Sequence, residues 1–275
     1  MKKCYLLIIA VIAMLMACQN TPYEIIDSYI YVQKDDRSGK DWRIVWEDNF
    51  DAPELDTVKW TMIPQGKGGW SKYLTTNPEC YHLEDGKLYL GGIVNTDTLS
   101  DTRRFLTGGI YTKGKFAFQY GKVEIHAKLE CAQGAWPAMW MLAEKEKYGK
   151  YPRNGEIDIM EHLNYDTIIY QTTHSYYTLE LKQKENPPHY GTAYVNPLEF
   201  NTYGLEWYPD KLVFTLNGKE TFRYPKIEGV DSSQWPYDQP FFILIDQQLG
   251  GEWVGKVNAD DLPVQMIVDY VKVYQ

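Results

Sequence analysis

The sequence is poor in cysteine, has no excess of positive charge, and has no long apolar run beyond its first residues. Lysine and arginine total 28 against 37 aspartates and glutamates, so the formal net charge is −9. A nucleic-acid partner requires a basic footprint, and this balance therefore excludes nucleic acid as the main partner. No HExxH pair, CxxC pair or EF-hand loop occurs, so the motifs predict no metal site.

Four cysteines are present, and Cys80 and Cys131 are the two that lie in the domain after the leader and tether described next. Their separation fits no metal-binding spacing. The two thiols could pair in an oxidising compartment, and two independent buried thiols are an equally good interpretation.

The first residues have the pattern of a bacterial lipoprotein signal. Lys2 and Lys3 precede an apolar run of about a dozen residues, which is too short to span a bilayer. The run ends in Leu15-Met16-Ala17-Cys18, which resembles the box whose cysteine is lipidated. We expect a signal peptide over 1–17, lipidation of Cys18, and export to the cell envelope, with the outer membrane as the expected attachment. An ordinary secretory signal with an incidental cysteine is the alternative.

The remaining chain divides into a tether and one domain. Residues 18–40 have mixed polarity and a charged cluster near their end, which predicts a tether. Residues 41–275 consist of short segments of alternating polarity, such as 122–129, separated by turn residues. Asn217-Gly218 between two such segments is a strong hairpin signal. The pattern predicts an all-β sandwich or barrel.

The segment Gly155-Glu156-Ile157-Asp158-Ile159-Met160-Glu161 carries the chemistry. In a strand, Glu156 and Asp158 share one face and the isoleucines the other. Strict alternation would bury Glu161, which is costly for an unpaired carboxylate. A β-bulge at Ile159-Met160 would return Glu161 to the acidic face. Three acids on one face raise each other's pKa, as glycoside hydrolysis requires of its acid, whereas a solvated acidic face is the alternative.

This segment resembles the signature of glycoside hydrolase family 16 in its bulged form, the laminarinase and endo-β-galactosidase-like branch. Trp136 to Leu142, Tyr203 to Asp210 and the last strand resemble the family's other segments in order. The resemblance implies a concanavalin A-like β-jelly-roll sandwich with a concave groove that binds glycans. It also implies a retaining mechanism in which Glu156 is the nucleophile, Asp158 assists it, and Glu161 is the general acid/base.

Aromatic and polar residues near the signature are candidates for substrate binding. Aromatic residues make up 15% of the chain, which fits both a β core and a sugar-binding cleft. The candidates that we select are Trp136, Trp140, His174, Trp70 and Gln247, with Trp253 as a weaker one. Since Gln247 and Gln248 are neighbours on a strand, only one of them can face the groove.

No cofactor is expected. The resemblance implies that a structural calcium is possible on the convex side, with Asp269 among its ligands. In Glu47-Asp48-Asn49-Phe50, however, Asn49 stands where relatives have Glu, which weakens that expectation.

The predicted function is endo-hydrolysis, with retention, of β-glycosidic bonds in a polysaccharide or glycan by a monomer. Asp246 to Gln248 and the 176–196 insert are not laminarinase-like, and they resemble the subgroup that acts on β-galactosidic bonds of mucin-type and poly-N-acetyllactosamine glycans. An endo-β-1,3-glucanase or mixed-linkage glucanase is the first alternative. A non-catalytic carbohydrate-binding lipoprotein is the second, and it would need a broken acid triad.

Overall fold

The computed structural model describes residues 23–33 and 41–275, which form two sheets packed face to face. The leader, the Ala17-Cys18 junction and residues 34–40 lie outside the described residues, so lipidation stays a prediction. Within the described ranges, no helix has the length and apolar character needed to cross a membrane.

The first sheet bears the candidate active site on its outer face. Its strands among the described residues are β1 (Tyr23–Asp27), β2 (Ile30–Gln33), β4 (Thr61–Met62), β8 (Gly109–Tyr111), β9 (Ala117–Gln119), β11 (Ala135–Ala143), β12 (Glu156–Glu161), β13 (Ile168–His174), β14 (Tyr190–Tyr194) and β18 (Phe241–Leu249). They pair in the order β1-β2-β9-β18-β11-β12-β13-β14, and β8 pairs with both β18 and β4.

The second sheet closes the sandwich. Its strands among the described residues are β3 (Ile44–Asp48), β5 (Tyr81–Glu84), β6 (Lys87–Val94), β7 (Phe105–Thr107), β10 (Gly121–Leu129), β15 (Asn201–Trp207), β16 (Lys211–Leu216), β17 (Lys219–Pro225) and β19 (Val264–Tyr274). The central path is β17-β16-β15-β10-β19-β6-β5. Among the described residues, one short helix, α1 (Tyr176–Leu179), and two 3₁₀ turns (Pro78–Cys80 and Ala259–Asp261) connect strands.

Alternation of polarity in the sequence produces this arrangement. Every second side chain of β10, from Val123 to Leu129, is fully buried, because alternate side chains of a strand face the same layer. The predicted hairpin is present between β16 and β17, where Asn217 and Gly218 have φ of 52° and 75°. Two positive φ values are what a two-residue turn of this kind requires.

The core lies between the two sheets and joins their inward faces. Ile157, Ile159 and Met160 of β12 pack in one cluster with Val123 and Ile125 of β10. The all-β jelly-roll sandwich predicted from the sequence is confirmed.

The prediction of a tether over residues 18–40 needs a correction at residues 23–33. These residues form the hairpin β1–β2, and β2 pairs in parallel with β9. Ile30 is 2% exposed and packs in an apolar cluster with Ala117 and Phe242, so burial of apolar side chains holds the hairpin on the sheet.

The cysteine alternatives are also resolved. Cys80 and Cys131 are both free thiols, and Cys80 is buried. Burial raises the pKa of the Cys80 thiol to about 12, which makes it unreactive at neutral pH.

Candidate active site

The strand β12 contains the predicted bulge, and the bulge sets the face of each acid. Asp158 pairs with Thr172 of β13 and Glu161 with Tyr170, so Ile159 and Met160 together oppose the single residue Gln171. This is the two-against-one count of a β-bulge.

The consequence is that three acids point outward and three apolar residues point inward. Ile157, Ile159 and Met160 are fully buried in the core. Glu156, Asp158 and Glu161 instead line a cleft on the outer face of the first sheet. Without the bulge, Met160 would take the place of the third acid.

Gly155 fixes the entry of the chain into this strand. Its φ is +77°, and a Cβ there would lie 2.6 Å from Cγ of Pro236. Only glycine adopts this conformation at no steric cost, so the residue before Glu156 is constrained both by φ and by space.

Burial dominates the electrostatics of the three acids. Burial raises the pKa of Glu156 to about 7, while hydrogen bonds from Tyr151 and Asp158 oppose the rise. Burial also raises the pKa of Glu161 to about 8, opposed by the hydrogen bond from Trp136. The pKa of Asp158 is raised well above its usual range by burial and then by the charges of Glu156 and Glu161.

These directions assign distinct protonation states to the acids. The hydrogen bond between Asp158 and Glu156 raises the pKa of Asp158 and lowers that of Glu156, so it favours a protonated Asp158 beside an ionised Glu156. Burial raises the pKa of Glu161 far enough to favour its protonated form at neutral pH. Carboxyl groups held apart in this way can serve as nucleophile and acid in one site.

His174, which the sequence analysis selected for substrate binding, lies beside the acids. It pairs with Glu156 across β12 and β13, and its Nε2 lies 3.4 Å from Oδ2 of Asp158 and 3.8 Å from Oε1 of Glu156. Burial lowers the pKa of His174 to about 4, so the ring is neutral at pH 7. A neutral imidazole can donate to or accept from a sugar hydroxyl.

Ligand atoms of Glu156, Asp158 and His174 lie within 4.8 Å of one another, a spacing that could also hold a cation. Protonated Asp158 would be a poor cation ligand, however. The cluster therefore fits proton transfer better than metal binding.

The cleft continues on both sides of the acids. One half has a volume of about 390 Å³. The other half has a volume of about 550 Å³. Both are lined by Trp136, Glu156 and Glu161. The first half adds Trp70, Ala138, Trp140, Leu142, Tyr151, Asp158 and Gln248, and the second adds Tyr170, Thr172, His174, Lys184, His189, Tyr190 and Trp253. A cleft that extends past the acids in two directions can hold sugars on both sides of a bond.

The tryptophans that the sequence analysis selected lie in this cleft. Trp136 donates its Nε1–H to Oε1 of Glu161 over 3.0 Å, and Trp140 donates to Oδ2 of Asp246 over 2.8 Å. Trp70 packs edge-on against Trp140 with ring centroids 4.8 Å apart. Trp253 is 48% exposed and packs edge-on against Trp136, with centroids 5.6 Å apart. Each of these two hydrogen bonds orients its indole ring. Each also lowers the pKa of the carboxyl group that accepts it and so opposes the rise caused by burial.

The structure places Gln247 away from the cleft. Gln248 pairs with Trp136 and Gln247 with Pro137, so Gln248 shares the cleft face and Gln247 points into the sandwich. The choice of Gln247 is thus corrected to Gln248. Choosing between two neighbours requires the strand register, which a single sequence does not contain.

A fourth buried acid was missed as a site residue. Asp246 lies across Ala138 from Glu161, so a single small side chain separates the two acids in register. Burial raises the pKa of Asp246 to about 7. The sequence analysis also missed Tyr151, which hydrogen-bonds Glu156. Tyr151 lies in the loop before the signature, and a loop residue gives no periodic signal.

The residues expected for a structural calcium do not fit one. Oδ2 of Asp269 lies 2.8 Å from Nδ1 of His126. The Asp48 carboxylate accepts hydrogen bonds from the Phe50 amide and the Trp60 indole. Both carboxylates are engaged by protein donors, so we assign no role to calcium.

Comparison with known proteins agrees with this geometry. The model of the glycosyl hydrolases family 16 matches residues 87–272. The chain is 34% identical over 237 residues to a keratan-sulfate endo-1,4-beta-galactosidase of Sphingobacterium multivorum, covering 86% of this chain and 56% of that protein. The chain thus spans little more than half the length of that relative.

Solved structures show the same fold. A laminarinase from Rhodothermus marinus superimposes with a TM-score of 0.78 at 30% identity, covering 86% of this chain and 98% of that one. A solved structure from the endo-acting O-glycanases that prominent members of the human gut microbiota express to initiate mucin breakdown superimposes with a TM-score of 0.73 at 27% identity. The match covers 84% of this chain and 98% of that one.

The chain belongs to glycoside hydrolase family 16. It is a glycoside hydrolase, and members of this family typically need no cofactor.

Proposed function

We propose that the chain cleaves internal β-glycosidic bonds with retention of anomeric configuration. The observation that carries this proposal is the bulged strand, which presents Glu156, Asp158 and Glu161 together on the floor of a two-sided cleft. A retaining enzyme uses one carboxylate as nucleophile and a second carboxyl as acid and then base.

In the first step, an oxygen of ionised Glu156 attacks the anomeric carbon while Glu161 gives its proton to the leaving sugar oxygen. The glycosidic bond breaks and a glycosyl–Glu156 ester forms. In the second step, Glu161 takes a proton from water, the water oxygen attacks the anomeric carbon, and the ester bond breaks. Asp158 stays protonated throughout and donates a hydrogen bond to Glu156, which orients the nucleophile.

We infer that the bond cleaved is β-galactosidic, in mucin-type or poly-N-acetyllactosamine glycans. The similar Sphingobacterium protein is named for keratan-sulfate endo-β-galactosidase activity. The cleft also contains polar side chains in the places that the sequence singled out: Gln248 on β18, and Lys184 and His189 from the 176–196 insert. Galactose and glucose differ in the orientation of one hydroxyl, and buried hydrogen-bonding groups discriminate such differences strongly.

An endo-β-1,3-glucanase is the second candidate. The similarity to the Rhodothermus laminarinase in both fold and sequence favours it to the same degree. The stacking surfaces of Trp70, Trp136 and Trp253 would serve either backbone, because an aromatic ring contacts the apolar face of any sugar.

A time course on keratan, mucin glycans, laminarin and lichenan, resolved by chain length, tests the bond and the mode of cleavage. We expect oligosaccharides rather than monosaccharide, and faster release from the galactose-containing glycans. A laminarin rate far above every galactan rate would replace the first candidate with the second. Release of monosaccharide alone would contradict endo-action.

Three variants test the residue roles. Glu156→Gln and Glu161→Gln should each lose most of kcat, because each removes a chemically distinct step. On an activated substrate, azide should partly rescue Glu161→Ala by attacking the glycosyl ester. Proton NMR of the first wild-type product should show retention, and inversion would contradict the double displacement.

We also propose that Cys18 anchors the enzyme to the cell envelope. The support is the leader pattern that ends at Ala17-Cys18. Mature protein should begin at Cys18 and sediment with membranes. A soluble wild-type protein whose N-terminus lies elsewhere would contradict the anchor.

A further inference from the structure

A second depression lies beside the cleft, between two glycine-rich loops. Its volume is about 600 Å³, and it is formed by the 69–73 loop, the start of β7 and the 250–257 loop. None of the roles assigned above uses it.

The depression continues from the first half of the cleft. Gly69 lines it and directly precedes Trp70, which lines the cleft. Gly251 lies on the other side, where a Cβ would be 3.4 Å from Cζ3 of Trp136. The absence of side chains at these glycines leaves room for a chain that passes out of the cleft, or for one of its substituents, to reach the depression.

Positive charge is concentrated in the depression. Lys72, Arg104 and Lys256 line it, all three are exposed, and Glu252 is the one carboxylate among its lining residues. We call Lys72, Arg104 and Lys256 the basic shelf. Within residues 23–33 and 41–275, no carboxylate lies within ion-pairing distance of a shelf cation. This contrasts with the chain's net charge of −9.

Arg103 and Arg104 are neighbours in the chain, but only the charge of Arg103 is neutralised by an ion pair within the described part of the fold. Arg103 binds Asp101 over 2.5 Å and donates to the carbonyl of Leu74, so its charge is neutralised within the fold. Arg104, the next residue, lines the depression, and its Cζ lies 5.2 Å from the centre of the Phe105 ring. Among residues 23–33 and 41–275, no acceptor pairs with its guanidinium, so its donors can bind an anion.

Aromatic rings form the floor beneath the cations. Tyr73 and Phe105 pack edge to face with centroids 5.5 Å apart, and Nζ of Lys72 lies 5.0 Å from the Tyr73 ring. An apolar floor bordered by cations suits a sugar ring that carries an anionic group.

We propose that the basic shelf binds an anionic substituent, a sulfate ester or a sugar carboxylate, on a glycan that extends out of the cleft. The inference deepens the proposed function and rests on it in one respect, namely that a glycan occupies the cleft. It defines the preferred substrate as a charged glycan, even though the acidic cleft and the net charge of the protein disfavour polyanions in general.

The test measures binding to Glu156→Gln enzyme, which leaves the glycans uncut. Two matched pairs serve as probes: keratan sulfate with its chemically desulfated form, and sulfated laminarin with laminarin. A sialylated keratan oligosaccharide distinguishes carboxylate from sulfate. The shelf variant carries Lys72→Gln, Arg104→Gln and Lys256→Gln. The charge-matched control carries Lys87→Gln and Lys219→Gln on the second sheet and Lys226→Gln directly after β17.

We expect the shelf variant to bind the charged member of a pair about tenfold more weakly, since an exposed ion pair contributes up to several-fold in affinity. Binding of the uncharged member should not change, and the control variant should behave as wild type. The preference should also fade at high salt. An equal ratio of charged to uncharged affinity in shelf and control variants would overturn the proposal. Because each pair shares one backbone, the shelf is tested even where the galactan preference fails.

Discussion

The buried carboxyl of Glu161 should make the wild-type enzyme less stable as pH rises, and Glu161→Gln should remove that loss. Glu161 is 8% exposed, and its pKa is raised from 4.5 to about 8. Between these two values, the unfolded chain releases a proton that the folded chain keeps. The unfolded state therefore binds fewer protons, and stability falls with increasing pH in this window.

The size of the effect follows from the width of the window. Each pH unit costs about 1.4 kcal/mol while the two states differ by one proton. From pH 4.5 to neutral pH, the loss is on the order of 3 kcal/mol. Glutamine has a similar shape and keeps an oxygen that can accept the Trp136 hydrogen bond, so the substitution removes the ionisation with little change in packing.

Urea unfolding followed by tryptophan fluorescence measures the difference. At about pH 4 the variant and wild type should have similar free energies of unfolding, and at neutral pH the variant should be more stable by about 3 kcal/mol. Glu54→Gln, which changes an exposed surface carboxylate, is the control and should follow wild type. Parallel pH curves for wild type and Glu161→Gln would refute the assignment of a raised pKa to Glu161.

Three further changes test other parts of the site. Trp136→Phe removes the hydrogen bond that lowers the pKa of Glu161, so the alkaline limb of the kcat/KM profile should move to higher pH. An unmoved limb would show that the ionisation of Glu161 does not determine it. Gly155→Ala introduces a Cβ 2.6 Å from Pro236 at positive φ. The free energy of unfolding should fall by about 2 kcal/mol or more, which calorimetry should show as a melting temperature lower by several degrees. An unchanged melting temperature would show that the loop moves to make room for the Cβ. Trp253→Ala removes a half-exposed ring from the cleft and should raise KM more than it lowers kcat in steady-state assays; an effect on kcat alone would argue against stacking.

The acid triad and its bulge could be predicted from the sequence because two physical constraints conflict there. Period-two alternation demands that Glu161 face the core, and the cost of burying an unpaired carboxylate forbids it. One extra residue resolves the conflict, and the register between β12 and β13 shows it at Ile159 and Met160. Conflicts of this kind carry information within a single strand.

Other features depend on which strands are neighbours, and no local pattern encodes that. The facing of Gln248 rather than Gln247 follows from the pairing of β18 with β11. The proximity of Asp246 to Glu161 requires three strands in order. The sequence predicts a tether at residues 23–33 because the stability of this hairpin comes from burial of Ile30 against the sheet rather than from its own short strands.

The position of that hairpin determines how far an anchored enzyme could stand from a lipid surface. In a protein lipidated at Cys18, four residues separate that cysteine from the start of β1 at Tyr23, and the five residue-to-residue steps between them span about 18 Å at most in an extended chain. A tether that ran from Cys18 to residue 41 would reach about 80 Å. The shorter tether would hold the catalytic domain against the membrane, so that glycans would be cut, and their fragments released, within reach of neighbouring envelope proteins.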